Sequence, residues 1–90
     1  MGTFHQNKHE LHGLTVLIET AAGEIWVGRC DDIVGGEVLL RDADVLPGDA
    51  EAPARDEWLS RARRFGVWPK HRRIALDEGS VRSFRLLSEA

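Results

Sequence analysis

Seven of the twelve lysine and arginine residues fall in one segment, between positions 55 and 73. They are Arg55, Arg61, Arg63, Arg64, Lys70, Arg72 and Arg73. The segment holds only two acidic residues, so its net charge is +5, whereas the rest of the chain has five basic and thirteen acidic residues and a net charge of −8. A basic patch of this kind can bind the phosphates of nucleic acid. It can equally contact the acidic body of a neighbouring copy, or form the solvated face of a helix.

The residue types that catalysis needs do not form a recognisable motif. Cys30 and His71 are a possible nucleophile and base, and four carboxylates are candidate partners. These carboxylates are Glu19, Glu24, Asp31 and Asp32. Nothing fixes their mutual geometry, and the sequence has no nucleophile elbow, phosphate-binding loop or metal-ligand spacing. We therefore predict no enzymatic activity, no catalytic residue and no cofactor.

Three histidines near the N-terminus have helical spacing. His5, His9 and His12 are four and three residues apart, so a helix would place them on one face, where they are compatible with a metal ion. No carboxylate–histidine signature or cysteine pair accompanies them. We predict no metal site and interpret residues 1–12 as a tail or a short helix packed across one end of the domain.

Length and composition indicate one ordinary globular domain over residues 1–90. The sequence is 42% hydrophobic and 30% charged, and it contains no apolar run of the ~20 residues that span a membrane and no signal peptide. The single cysteine, Cys30, cannot form an intramolecular disulfide and is typical of a small buried strand residue. We predict a cytoplasmic protein that does not bind membranes.

Short β-branched segments separated by turns indicate a mainly β fold. Three strands, residues 14–20, 24–33 and 37–43, form an antiparallel meander, with Gly35 and Gly36 in the second turn. Two more strands, residues 72–76 and 81–87, flank the turn at residues 77–80. Because Val81 and Phe84 do not alternate strictly, we expect a bulge near Ser83.

A helix of about twelve residues is predicted between the third and fourth strands, within an insert at residues 44–71. Pro53 lies at its start, Asp56 and Glu57 in its first turns, and Gly66 at its C-terminal cap. Trp58, Ala62 and Phe65 fall on one stripe, with Leu59 beside it. This stripe is expected to dock on the sheet.

Gly28 interrupts a strand that otherwise carries Ile, Trp, Val and Cys. In a small barrel, a long strand must bend sharply to belong to both halves of the closing sheet. A glycine permits that bend and the close approach of a crossing backbone. Gly28 therefore favours a strongly bent barrel, with a simple bulge on an open sheet as the alternative.

Residues 14–43 resemble the first motif of the Sm and Sm-like proteins. The matching positions are Val16, Ile18, Gly23, Trp26, Gly28, Ile33, Val38, Leu39, Leu40 and Asp42. Residues 74–87 correspond more loosely to the second Sm motif. The resemblance implies a divergent member with a five-stranded SH3-like barrel, an N-terminal helix and a homo-oligomeric ring of five to seven copies. In such rings the fourth strand of one copy pairs with the fifth strand of the next, which covers the unpaired strand edges.

The positions that bind uridine in Sm-like rings are substituted in this chain. The family uses an asparagine before the third strand and an Arg-Gly pair between the last two strands. The corresponding residues here are Glu37, Asp77 and Glu78. Acidic side chains repel phosphate, so the sequence argues against the usual uridine site.

Two functions remain open from the sequence. The first is a ring-forming Sm-like protein that binds RNA through its basic insert. The residues expected to contact phosphates are Arg61, Arg63, Arg64, Lys70, Arg72 and Arg73. Trp58, Phe65 or Trp68 would stack on bases where they are exposed. The alternative is a protein-interaction or assembly module with the same barrel and no nucleic-acid role.

Overall fold

The computed structural model describes residues 13–89 and contains five strands and one α-helix in that range. The strands are β1 (Thr15–Thr20), β2 (Ile25–Val34), β3 (Glu37–Leu46), β4 (His71–Asp77) and β5 (Val81–Leu86). The helix, α1 (Ala52–Phe65), lies between β3 and β4 as predicted, and short 3₁₀ turns occupy Glu78–Ser80 and Leu87–Glu89. Within residues 13–89 no helix has the length and apolar character needed to cross a bilayer. The helix expected within residues 1–12, and the three histidines there, lie outside the described residues.

The five strands form one antiparallel sheet in the order β4-β3-β2-β1-β5. β1, β2 and β3 make the predicted meander, and β5 returns to pair with β1. The sheet curls into a barrel, and all five strands contribute buried or partly buried side chains to one core inside it. Examples are Val16, Trp26, Val38, Leu76 and Phe84. The predicted five-stranded barrel is confirmed.

Alternation over residues 25–30 of β2 supplies two separate cores. Trp26 and Cys30 point into the barrel, whereas Ile25 and Val27 pack on the opposite face of the sheet. On that face they meet Ala62 of α1 and form a second apolar cluster. The helix thus covers the outside of the sheet and leaves the barrel interior to the strands.

Gly28 lies where the backbone of β3 passes close to β2. A Cβ atom at this position would lie 2.6 Å from the Ala43 Cβ and 3.2 Å from the Arg41 carbonyl oxygen. The β2–β3 register shifts between Val27 and Arg29, directly around this glycine. The close approach predicted for Gly28 is therefore present, and a side chain there would force the strands apart.

β3 is longer than the sequence pattern predicted. We expected it to end at Ala43, but it continues to Leu46. Asp42 adopts a positive φ of 50° and Asp44 is buried, with its own carboxylate accepting a hydrogen bond from the Val45 N–H at 2.8 Å. This local hydrogen bond lets a polar residue stay within the strand, which composition alone does not reveal.

The helix was placed correctly, but two details differ. No acidic residue lies in its first turn, because the helix begins at Ala52, and Asp56 and Glu57 fall one turn later. Phe65 was assigned to the docking stripe and is instead 81% exposed, since the helix ends there and Gly66 turns away with φ 80°. Gly66 caps the helix as predicted, donating its N–H to the Ala62 carbonyl at 2.9 Å.

The turns follow the predicted glycines. Gly35 and Gly36 have φ values of 62° and 80°, the conformation that the β2–β3 hairpin requires. The bulge expected near Ser83 is confirmed, because β1 pairs Glu19 with Ser83 but Thr20 with Val81.

Candidate nucleic-acid interface

The basic residues of the insert are all on the surface. Arg61, Arg63 and Arg64 are exposed on α1, while Ala62 between them is buried against β1 and β2. Lys70 follows the helix, and Arg72 and Arg73 are exposed on β4. None of these six side chains forms an ion pair with a described residue. The structure thus leaves their charges directed to solvent, where a polyanion has access to them.

Two aromatic residues are exposed beside these charges. Phe65 is 81% and Trp68 is 75% exposed, although both are large apolar side chains. Trp58, the third candidate for stacking, is partly buried against the apolar cluster under α1. The exposed pair therefore lies at the end of α1, and Trp58 serves to hold the helix on the sheet.

Arg55 is the exception within the basic segment. Its guanidinium donates a hydrogen bond to a carboxylate oxygen of Glu19 at 3.0 Å. Glu19 belongs to β1, so the pair links the first turn of α1 to the sheet. Arg55 accordingly positions the insert and is not among the candidate phosphate contacts.

The three positions of the family's uridine pocket do lie together. Glu37, the first residue of β3, is directly opposite Asp77, the last residue of β4. The Glu78 N–H donates to the Gly36 carbonyl at 2.8 Å, which holds the 3₁₀ turn against the β2–β3 hairpin. The fold therefore brings together the three residues that correspond to the pocket positions, and all three are acidic.

The structure also shows a group of arginines that sequence reasoning missed. Arg29 on β2 is directly opposite Arg41 on β3, and Arg41 is directly opposite Arg73 on β4. We call these three residues the arginine row. Its members are exposed and line a cleft of about 360 Å³ together with Arg72, Asp31 and Asp42.

Cys30 and His71 do not form a catalytic pair. Burial, and then the nearby charges of Asp32 and Asp31, raise the pKa of the Cys30 thiol to about 11, so it remains protonated at neutral pH. His71 contacts the Trp26 ring, with the ring centroids 5.2 Å apart. Cys30 fills the barrel core, as predicted from its strand context.

Among residues 13–89, no group of three or more histidine, cysteine, aspartate or glutamate side chains is arranged to hold a metal ion.

Comparison with known proteins shows the fold. No protein-family model and no curated protein sequence matches this chain. Among solved structures, it is similar to the Sm protein of Pyrococcus abyssii in complex with a uridine heptamer, with a TM-score of 0.58, 18% identity and coverage of 87% of this chain and 89% of that one. It is also similar to a chain of the NatC complex bound to CoA, with a TM-score of 0.58, 13% identity and coverage of 87% and 80%. The resemblance to Sm proteins seen in residues 14–43 is thereby confirmed at the level of the fold.

Proposed function

We propose that this chain, which has the fold of the Sm proteins, is a ring-forming Sm-like protein that binds single-stranded RNA through its basic insert. The observation that carries the proposal is the pair of exposed aromatic side chains, Phe65 and Trp68, beside the exposed arginines at the end of α1. Single-stranded nucleic acid is held by this combination, since arginines bind the phosphates and aromatic rings stack on the bases. The similar Sm protein of Pyrococcus abyssii is itself in complex with a uridine heptamer.

The mode of binding differs from that implied by the family. Glu37, Asp77 and Glu78 offer carboxylates at the positions where the family uses asparagine and arginine. A carboxylate repels the phosphate beside a bound base and cannot supply a charge-assisted donor. The proposed interface is therefore the insert, and it reads the phosphate backbone more than the identity of the base.

Ring formation is part of this proposal. Within the described residues, β4 and β5 are the two ends of the sheet and each has one edge without a strand partner. Pairing β4 of one copy with β5 of the next would cover both edges and close a ring of five to seven copies.

Light scattering across a range of salt concentrations tests this assembly. We expect a particle of five to seven copies at every salt concentration, because the backbone hydrogen bonds that would join β4 to β5 carry no net charge and are little affected by screening. A monomer at micromolar concentration at every salt concentration would contradict the ring.

In this proposal the chain is a binding protein of the cytoplasm and not an enzyme. It is supported by the protonated, buried state of Cys30, which removes the one candidate nucleophile considered above.

A charge-reversal experiment tests the interface. The double variant Arg61→Glu/Arg64→Glu replaces two exposed helix arginines, and Arg82→Glu/Arg85→Glu on β5 is the matched control with the same change in net charge. We expect the helix variant to reduce the affinity for oligo-A RNA at low salt by 100-fold or more, on the order expected for reversing two phosphate contacts. We expect the control to have a several-fold smaller effect. Equal losses in the two variants would mean that net charge alone governs binding and would contradict the interface.

The alternative is an assembly module with the same barrel. One observation favours it: a chain of similar fold is part of the NatC complex. The apolar underside of α1, with Trp58 and Leu59 only partly buried, would then contribute to a protein contact. Failure to bind any single-stranded RNA at low salt, with the protein folded, would favour this alternative.

A further inference from the structure

We propose that the arginine row, Arg29, Arg41 and Arg73, is a binding site for a phosphate group. The three residues come from β2, β3 and β4, and only Arg73 belongs to the basic segment noted in the sequence. The proposal does not rest on RNA binding by the insert, because none of the three arginines lies within residues 44–71 and only Arg73 is among the residues proposed to contact RNA.

The pairing of the row is unfavourable without a ligand. Residues directly opposite on neighbouring strands have Cβ atoms about 4.5–5.5 Å apart, and like charges in such positions destabilise a sheet. The row contains two such pairs in succession. Asp31 compensates only weakly, because its carboxylate is 3.9 Å from an Arg41 guanidinium nitrogen, too far for a strong hydrogen bond. A bound anion would neutralise the repulsion that the fold otherwise tolerates.

The cleft around the row has the charge and size for a phosphate group. Four guanidinium groups, those of the row and of Arg72, line it with two carboxylates, those of Asp31 and Asp42, which leaves a net charge of +2. Arginine presents a planar fork of N–H donors that matches the oxygens of phosphate. The volume of about 360 Å³ accommodates a phosphate with a small substituent.

The backbone of β3 bends at the edge of the cleft, where the β2–β3 register shifts. Asp42 follows Arg41 and has a φ of 50°, the one positive φ among the non-glycine residues described. Such a conformation costs about as much as a weak hydrogen bond and persists where the surroundings enforce it. Here it coincides with the change from the exposed Arg41 to the buried Ala43, which packs under Gly28.

The phosphate could belong to a free phosphorylated molecule or to an RNA backbone, and the test separates these sources. The full-length chain is heated with inorganic pyrophosphate and, separately, with oligo-A RNA, each compared with chloride at matched ionic strength. The variants are Arg41→Gln, at the centre of the row, and Arg82→Gln, an exposed strand arginine outside the cleft. Arg29→Gln is a second row variant in case the first does not fold.

We expect pyrophosphate to raise the unfolding temperature of the wild type and of Arg82→Gln. We expect Arg41→Gln to weaken pyrophosphate binding about tenfold or more. If only RNA protects the wild type, and Arg41→Gln lowers RNA affinity about tenfold while Arg82→Gln does not, the phosphate belongs to the backbone. If the row variants and Arg82→Gln respond equally to both probes, or neither probe protects the wild type, the site is wrong. That result would not bear on RNA binding by the insert, since the insert is tested by its own pair of charge-reversal variants.

Discussion

The two ends of the outer sheet face formed by β3 and β4 carry opposite charges. At one end Glu37 is opposite Asp77, and at the other Arg41 is opposite Arg73. The two pairs are four residues apart along each strand, about 13 Å, and lie on the same face because side chains alternate with a period of two. Between them lies an uncharged pair, Leu39 opposite Ala75.

The difference between the two ends shows that a fold can be kept while the chemistry on its surface changes. The hairpin and the 3₁₀ turn that form the acidic end are held together by the hydrogen bond from the Glu78 N–H to the Gly36 carbonyl. The side chains on this frame are nonetheless acidic, and the positive charge lies elsewhere on the same strands. An anion approaching this face is repelled at the acidic end and attracted at the arginine row. Function in such a case has to be argued from the site and not from the fold.

The largest expected effect is on stability. Substituting Gly28 would disturb the β2–β3 register and with it the difference between the two ends. Gly28 sets the register that places Arg29 opposite Arg41, and a Cβ there would lie 2.6 Å from the Ala43 Cβ. We expect Gly28→Val to lower the free energy of unfolding by about 3 kcal/mol or to prevent folding. Ala75→Val, on an exposed position of β4, is the control and should change stability little. Thermal unfolding of both variants is the measurement; an unchanged melting temperature for Gly28→Val would mean that the strands have room to separate.

The pH dependence of stability tests whether folding raises the pKa of the Cys30 thiol. Burial and the charges of Asp32 and Asp31 raise the Cys30 pKa from 9.0 to about 11. Below pH 9 both the folded and unfolded states hold the proton. From pH 9 to about 11 only the unfolded state releases it, so stability falls, by about 3 kcal/mol in all.

Denaturant unfolding at a series of pH values measures this decline. The chain has no tyrosine, which simplifies the alkaline range. Cys30→Ala is the control, and its stability should show no such step between pH 9 and 11. A wild-type curve parallel to that of Cys30→Ala would contradict the raised pKa, because it would mean that the folded protein does not bury the thiol as the structure shows.

A third prediction concerns the aromatic side chains of the insert. Trp68 is exposed and Trp58 packs under α1. We expect Trp68→Ala to weaken RNA binding about tenfold, or about 1.4 kcal/mol, with an unchanged melting temperature. Trp58→Ala should instead lower the melting temperature. Fluorescence anisotropy with labelled RNA and thermal unfolding separate the two effects; a loss of stability in Trp68→Ala would show that this side chain is structural.

The smallest expected effects come from one substitution at each end, and they allow the two ends to be compared directly. Glu37→Gln relieves one pair of like charges and Arg41→Gln relieves two, so each should raise the free energy of unfolding by about 0.5 kcal/mol or more. Their effects on RNA or pyrophosphate binding should differ in sign, with Glu37→Gln slightly favourable and Arg41→Gln unfavourable. Stability and affinity measured on the same preparations test this. Effects of the same sign on affinity would mean that the two ends are not electrostatically distinct.

The strands, the inserted helix and the role of Gly28 could be predicted from the sequence because local signals determine them. Trp26 and Cys30 alternate with Ile25 and Val27, and the structure places these pairs in separate cores. Gly66 ends the helix in the positive-φ conformation that only glycine adopts easily. In each case a few neighbouring residues carry the information.

The arginine row could not be found in this way, because its members are distant in the chain. Arg29 and Arg41 meet only through the β2–β3 register, which shifts at Gly28, and Arg73 joins through β4. The exposure of Phe65 was missed for a related reason. Helical periodicity placed it on the docking stripe, but it occupies the last position of the helix, beyond the sheet that covers Ala62.

The most direct test of the central claim is the affinity for oligo-U and oligo-A RNA measured across a range of salt concentrations. If exposed arginines hold the phosphates and the acidic pocket holds no base, the two affinities should be similar, and both should fall steeply and linearly on a log–log plot against salt. Binding that favours oligo-U strongly and changes little with salt would contradict the account, because it would require a base-reading pocket at Glu37, Asp77 and Glu78.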